Sequence, residues 1–398
     1  MDIKDETLSF LKKHNFSTDI ADKLHQKIID DMKKGLATGG ADQAMIKAGK
    51  ASLRAMNEGE SVIVIDAGGT NFRSSLVTKS KDGITISNFQ KTSMPAIDRE
   101  LSKKEFYKSI ADNISRLKDC SDKISFCFSY AMAITEDGDG KILRFSKEVK
   151  AEEAVGTYIG KELLAELKSQ GWEKIKKINV LNDTTALLLS SFVDTSKSWS
   201  SHIAYILGTG MNSAYIQDKR IIVTECGMFN NIPLSDFDKE VTSRTTFPNL
   251  SLLEKMSSGA YLGDIAFEII KAGCEEGLFS NSFIPPRSLA TKDFDAYFSA
   301  DEAALSEDQK ILKELYTAVI TRSAYLSAEA IYAAAVCSDK EKGESPLCIA
   351  CNGSTFWKTP LLKKTVEARL GSLLQQPFEI IQVDDDITKG SFAAAFIA

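Results

Sequence analysis

Ser61-Val-Ile-Val-Ile-Asp-Ala-Gly-Gly-Thr-Asn-Phe-Arg-Ser-Ser-Leu-Val77 is the stretch whose reading decides the fold. The β-branched run from Val62 to Ile65 reads as a buried strand that delivers one carboxylate, Asp66, into a Gly-Gly turn. Gly68 and Gly69 have no Cβ, so the backbone can turn sharply and its N–H groups can approach an anion closely. Thr70, Asn71 and Arg73 follow as donors, and a strand-like pattern resumes through Leu76 and Val77. No helix is signalled after the glycines, which separates this turn from a Walker A loop and from a dinucleotide fingerprint. An acid able to hold a hydrated Mg²⁺ beside a phosphate-sized nest of donors points to a nucleotide site; the same residues also suit a plain hairpin.

The chain has 398 residues, more than one core usually supports, so two lobes with a cleft between them are expected. With 43% hydrophobic and 26% charged residues the composition is that of a globular protein. A net charge of −6 leaves no basic footprint for nucleic acid. No apolar run reaches membrane-spanning length, and the acidic start Met1-Asp-Ile-Lys-Asp-Glu carries no secretory signal. Seven scattered cysteines suit a reducing cytoplasm, and Cys348-Ile-Ala-Cys351, with no second pair, reads as two buried strand cysteines.

Taken in order, Thr7 to about Leu36 shows helical spacing, with Ser17 as the expected cap of a second helix and Gly35 weakening its end. Gly83-Ile-Thr-Ile-Ser-Asn-Phe continues the meander, a helix is expected from about Lys103 to Leu117, and Lys123 to Tyr130 is another strand. Thr135-Glu-Asp-Gly-Asp-Gly140 lacks the later ligands of a calcium loop and reads as a solvated hairpin. Lys174 to Val180 forms a strand leading to Leu181-Asn-Asp-Thr-Thr-Ala186, which makes Asp183 a second strand-end carboxylate; a helix begins over Leu187 to Phe192. A repeat then appears: Val62 to Asn71 aligns without gaps on Ile203-Ala-Tyr-Ile-Leu-Gly-Thr-Gly-Met-Asn212. Two glycine turns facing each other would clasp a polyphosphate, and since Leu207 takes the place of Asp66 the metal falls to the first. Helices are expected over Leu250 to Gly277 and, on small residues, over Lys310 to Val336. Pro346 to Thr355 gives a strand and a Gly353-Ser354 turn, Glu379 to Val383 a last strand, and Gly390 to Ala398 a terminal helix.

Together these motifs resemble the hexokinase family, within the wider sugar kinase, heat-shock ATPase and actin group, over nearly the whole chain and in order. Asp66-Ala-Gly-Gly-Thr-Asn-Phe-Arg73 and Leu207-Gly-Thr-Gly-Met-Asn212 are similar to its two phosphate signatures. Phe145-Ser-Lys147 and Leu181-Asn-Asp-Thr184 resemble the sugar-loop and catalytic signatures. Glu225-Cys-Gly-Met-Phe229, Glu254-Lys-Met with Ser258-Gly-Ala-Tyr-Leu-Gly263, and Thr321-Arg-Ser-Ala324 continue the likeness. The resemblance implies an α/β chain with two ribonuclease H-like (actin-like ATPase) domains flanking a cleft. The smaller lobe would comprise residues 60–180 plus 387–398, and the larger 1–59 plus 181–386.

The activity implied is ATP-dependent phosphorylation of the 6-hydroxyl of a hexose such as glucose, with Mg²⁺. Asp183 would be the general base, assisted by Lys147 and Arg73. Ser129, Ser146, Lys147, Asn182, Asn212, Glu225 and Glu254 would hold the other hydroxyls. Asp66, through water on the metal, would bind MgATP with Gly68, Gly69, Thr70, Asn71, Arg73, Gly208, Thr209, Gly210, Gly259, Thr321, Gly353 and Ser354. Three positions depart from the family's pattern: Ala131 stands where proline is usual, Cys226 where an aromatic residue is, and Asn352 where an acid is. A sugar sensor without turnover would have no need of Asp183, Asp66 and Arg73 together. A chaperone-type ATPase would have no use for Lys147, Glu225 and Glu254.

Overall fold

The computed structural model of the protein describes residues 2–17, 23–81, 83–135, 137–145, 148–193, 196–339 and 345–397. Helices α1 (Ile3–Lys13) and α2 (Leu24–Thr38) and strand β1 (Ile46–Lys50) precede a meander of β2 (Ser61–Gly68), β3 (Asn71–Ser80) and β4 (Gly83–Ser93). Then come α3 (Lys103–Asn113), β5 (Ile124–Phe128), the hairpin β6 (Ala131–Ile134) and β7 (Gly140–Arg144), α4 (Ile159–Ser169), β8 (Ile178–Leu181) and α5 (Asp183–Ser190). A second meander, β9 (Ser201–Leu207), β10 (Met211–Gln217) and β11 (Arg220–Val223), leads into α6 (Asp236–Ser243), α7 (Leu252–Ser257), α8 (Leu262–Glu275) and α9 (Asp295–Ser299). The chain closes with α10 (Glu307–Cys337), β12 (Leu347–Asn352), α11 (Ser354–Lys358), α12 (Leu362–Leu373), β13 (Phe378–Ile381) and α13 (Asp386–Ala394).

Among the described residues the strands form a sheet in the order β4-β3-β2-β5-β8, a second in the order β1-β11-β10-β9-β12-β13, and the β6-β7 hairpin. Each larger sheet combines an antiparallel meander with parallel strands, β5 and β8 beside β2 in one and β12 and β13 beside β9 in the other. The repeat expected between the two glycine-turn units is therefore present as structure. Its two turns differ in length: Gly69-Thr70 separate the paired Gly68 and Asn71, whereas Gly208-Thr209-Gly210 separate the paired Leu207 and Met211.

The first sheet buries one face under α3 and α4, in a core of Ile63, Ile65, Phe106, Ile110, Phe126, Phe128 and Leu163. A capping box, in which Ser102 and Glu105 each accept from the other's backbone N–H, starts α3 at the expected place. The second sheet is covered by α10, which starts with its own capping box at Ser306 and Gln309 and packs on α2 and α12. Its small residues Ser323, Ala324, Ser327, Ala328, Ala333 and Ala334 are buried, as close approach of neighbours requires. Between the sheets lies a seam of small side chains, Ala186, Ala204, Ala214, Ala350, Ala393 and Ala394. There α13 lies on α5 so closely that a Cβ on Gly390 would collide with the Ala186 carbonyl.

The structure corrects some of these expectations. Ser17 does not cap α2, which begins at Leu24 with Lys23 at the N-cap in the left-handed region. Gly35 lies in the last turn of α2, which runs on to Thr38, and a Cβ there would press on Met45. Asp183 is not a strand end but the first residue of α5, which starts four residues earlier than the apolar run suggests because Asn182 caps it. The terminal helix likewise begins at Asp386 rather than Gly390.

Candidate active site

The pairing of β2 with β3 sets Asp66 opposite Arg73, and Arg73 Nη1 donates to Asp66 Oδ2 at 2.7 Å. Asp66 accepts no other hydrogen bond among the described residues, so its second oxygen is available to a hard cation or that cation's water shell. The glycine turn is braced by the segment after β5: Tyr130 donates its hydroxyl to the Gly69 carbonyl at 2.7 Å, and Ser129 N–H donates to Ala67 O at 2.9 Å. A Cβ on Gly68 would lie 2.9 Å from that of Ser129, so glycine is needed for this approach. Thr70 is exposed at the tip, and Asn71 is half-buried where β3 begins.

Asp183 reaches the cleft because β8 ends and α5 starts within two residues. Asn182 Oδ1 accepts Thr185 N–H at 2.8 Å as the helix cap, which leaves its side-chain amide N–H₂ as a free donor among the described residues. Asp183 Oδ1 accepts from Thr184 N–H at 2.7 Å and from Thr184 Oγ1 at 3.2 Å. Burial pushes the Asp183 carboxyl above the ordinary aspartate range, the Thr184 donations pull it back, and the negative charge of Asp66 adds to the rise. The three histidines are engaged elsewhere, His14 with Glu276, His25 with Glu329 and His202 with Ser191.

Across the cleft, Asn212 uses its carbonyl to accept Ser213 N–H and Glu225 N–H, and its amide donates to Glu225 Oε1 at 2.6 Å. Glu225 is held in the left-handed region at φ 54°. Burial raises its carboxyl to about 7; the Asn212 donation opposes the rise, and the charges of Asp183 and Glu254 add to it. Glu254 Oε2 accepts Met211 N–H at 3.0 Å, and its carboxyl too is raised by burial. Gly210 and Gly227 make room for it, since a Cβ on either would lie 2.6 Å from Glu254 Oε2 or 3.0 Å from Glu254 Cβ respectively. Ser129, Asn182, Asp183, Asn212, Glu225 and Glu254 thus line one cavity of about 440 Å³, whose wall continues into Gly208, Thr209 and Gly210.

The second glycine turn is locked to two later segments. Gly259 N–H donates to Gly208 O at 2.8 Å and Thr355 Oγ1 to the same carbonyl at 2.9 Å. Gly353 has φ 112° and lies against the Leu207 carbonyl, where any Cβ would collide. Thr209, Gly259, Ser354, Thr355, Thr291, Lys292 and Lys358 line an adjoining cavity of about 280 Å³. Thr321 lies half-buried in α10 and lines neither cavity; its neighbour Arg322 is fully buried in a bidentate pair with Asp238. Ser146 and Lys147 fall outside the described residues.

Two sequence profiles, both described as hexokinase, match residues 6–193 and 202–398. The chain belongs to the hexokinase family. Hexokinase-1 of Schizosaccharomyces pombe is 25% identical over 87% of this chain and 80% of its own length. The chloroplastic hexokinase-2 of Nicotiana tabacum is 27% identical over 65% of this chain, and the match spans 57% of that protein's length. The hexokinase of Schistosoma mansoni, solved with glucose, superposes with a TM-score of 0.74 at 21% identity, over 100% of this chain and 99% of that one. The two-domain, actin-like ATPase fold of the hexokinases is therefore the fold of this protein.

Within this hexokinase, several groups at the site escaped the reading of the sequence. Tyr130 and Thr355 stand inside quoted motifs but reveal their bonds to the glycine turns only in three dimensions. Thr291, which donates to Gly259 O at 2.8 Å, opens a single 3-10 turn, Thr291–Phe294, too short for a pattern to mark it. Asn352, one of the three departures from the family's pattern, donates its Nδ2 to Asp386 Oδ2, and no motif marks Asp386. Cys226 is buried, with its N–H donated to Thr224 Oγ1 at 3.0 Å, and Ala131 opens β6 on the cavity wall. Cys348 and Cys351 are buried in β12, as read.

Proposed function

We propose that this hexokinase transfers the γ-phosphoryl group of ATP to the 6-hydroxyl of a hexose, with glucose the preferred acceptor. The observation that carries the reading is one cavity lined by the half-buried Asp183 carboxylate, by Asn182, Asn212, Glu225 and Glu254, and by the glycine turn Gly208-Thr209-Gly210. A hexose presents hydroxyls that both donate and accept, so amides from Asn182 and Asn212 interleaved with carboxylates from Glu225 and Glu254 match its edge. Asp183 takes the proton of the reacting hydroxyl, a task suited to a carboxyl raised by burial. Arg73 and the backbone N–H groups of the two glycine turns face the charge on the transferred group. Asp66, an oxygen donor with one free oxygen, fits Mg²⁺ held through water; the ion supplies charge neutralisation on the phosphate oxygens when bound. Thr209, Gly259 and Ser354 are assigned to the nucleotide, and Thr321 keeps its nucleotide assignment by resemblance alone. Ser146 and Lys147 keep their assigned sugar contacts by resemblance.

We further assign residues 60–180 with 387–398 to the smaller lobe, and 1–59 with 181–386 to the larger. Among the described residues no helix is long and apolar enough to cross a membrane. All seven cysteines are unpaired, which suits a reducing compartment, and we place the enzyme in the cytoplasm. ADP release coupled to a colour reaction, measured with and without glucose, tests the function. Release that depends on glucose is expected. Equal rates would indicate a plain ATPase, and no release with tight glucose binding would indicate a sensor.

A further inference from the structure

Asn352 and Asp386 meet at the seam between the two sheets. Asn352 is the last residue of β12, paired with Ile206 on β9, and stands immediately before Gly353, which rests on the Leu207 carbonyl of the second glycine turn. Asp386 is the first residue of α13, is 8% exposed, and accepts from Ile387 N–H at 2.7 Å as well as from the Asn352 amide. Helix α13 in turn lies on β2, the strand that carries Asp66 two residues before its end, and on α5, which begins with Asp183. At the second of these contacts Gly390 permits backbone contact with Ala186. We propose that Asn352 and Asp386 form a positioning pair that ties the nucleotide-binding turn to the helix supporting Asp66 and Asp183, and so sets where ATP sits relative to the catalytic acid.

The chemistry of the pair explains the departure at position 352. An acid there would face the carboxylate of Asp386 in a buried setting, and two like charges in contact disfavour each other. An amide in its place turns the contact into a charge-assisted hydrogen bond. Burial pushes the Asp386 carboxyl up, the donations from Asn352 and Ile387 N–H pull it back, and the negative charges of Asp66 and Asp183 add to the rise. The carboxylate that the family keeps on the strand is thus supplied here from the opposite helix, with the amide exchanged into the strand.

The inference rests on the kinase reading, and the test separates the two. Four proteins are compared: the parent, Asp386→Ala, Asn352→Asp, and the exchange Asn352→Asp with Asp386→Asn. In both single variants the KM for ATP is expected to rise about tenfold, the worth of one charge-assisted bond, while the KM for sugar changes less than about twofold. In the exchanged protein the KM for ATP should return to within about threefold of the parent. Sugar-induced change in tryptophan fluorescence and a thermal melt establish that each variant is folded. Should Asp386→Ala not fold, Asp386→Asn, which keeps the volume and loses the charge, replaces it with an expected rise of about threefold. The proposal is overturned if folded single variants keep the parent's KM for ATP, if both KM values rise by the same factor alongside a lowered melt, or if the exchange is no better than Asn352→Asp. A parent protein that releases no ADP with sugar defeats the kinase reading instead.

Discussion

Arg73 Nη1 lies 2.7 Å from Asp66 Oδ2, so the cation assigned to phosphate and the acid assigned to magnesium hold each other across two neighbouring strands. The Arg73 side chain is 43% exposed, and an ion pair this open to solvent contributes little to folding. That weakness suits a pair whose members must turn to a triphosphate and its metal. Asp66→Asn should therefore lower kcat/KM for MgATP by about 10²-fold, the scale of one lost electrostatic contact in phosphoryl transfer, while shifting stability by less than about 1 kcal/mol. Initial-rate kinetics over a range of Mg²⁺ and a thermal melt check both halves; a large loss of stability with unchanged kinetics would assign the pair to folding.

Asp183 is the second acid to test. Removing its carboxylate in Asp183→Ala should reduce kcat by about 10²–10⁴, the range for a positioned base, and leave glucose binding within about tenfold. Because its carboxyl is raised by burial, the acid limb of kcat/KM in the parent should fall above the ordinary aspartate range. Fluorescence titration alongside turnover separates binding from chemistry, and near-normal kcat in the variant would end the assignment.

The raised carboxyl of Glu225 gives a pH prediction with a definite sign. Its folded value is about 7, against 4.5 for the ordinary side chain, so the folded protein binds more protons than the unfolded chain between those values. The contribution to stability is complete below about 4.5 and is lost as pH rises through about 7. Sugar should act oppositely: a charged carboxylate is the stronger acceptor of a hydroxyl, so glucose affinity should improve as pH rises through the same window. Thermal melts and glucose titrations from pH 5 to 8 check this, and Glu225→Gln should flatten both curves.

Much of this was readable before the fold was known. The strand to Asp66, its partner unit at Ile203 and the turn at Gly353 are signalled by apolar runs ending in a glycine turn, patterns that depend only on near neighbours. Strand β1 carries no such signal: it is a half-exposed edge strand, Ile46 to Lys50, with Gly49 at φ 119° in it, and among the described residues it pairs with β11 alone. The start of α5 is not marked by the apolar run from Leu187, because the helix begins four residues earlier, behind a polar cap at Asn182. Asp386 was invisible for a different reason. Its meaning depends on Asn352, a residue on another strand, and on Gly390 bringing α13 down onto α5.

The last prediction concerns exclusion of water as a rival acceptor. Water is smaller than a hexose hydroxyl and can reach Asp183 in an open cleft, so shape in the binding wall alone cannot reject it. The cavity is built from both sides: Ser129 follows β5 of one sheet, whereas Asn212, Glu225 and Glu254 belong to the side of the other. A hexose touching both sets is a cross-link that water cannot supply, so it should draw the lobes together and complete the site. Ser129→Ala, which removes one anchor on the first side, should then lower kcat and raise KM for sugar together, each by about three- to tenfold, rather than affect binding alone. Xylose, which lacks the reacting arm but keeps the other hydroxyls, should stimulate ATP hydrolysis by closing the lobes around water. Small-angle scattering should show a smaller radius of gyration with glucose. An unchanged radius on saturation with sugar, or ATP hydrolysis without sugar as fast as turnover with glucose, would mean that this enzyme rejects water by some means other than closure.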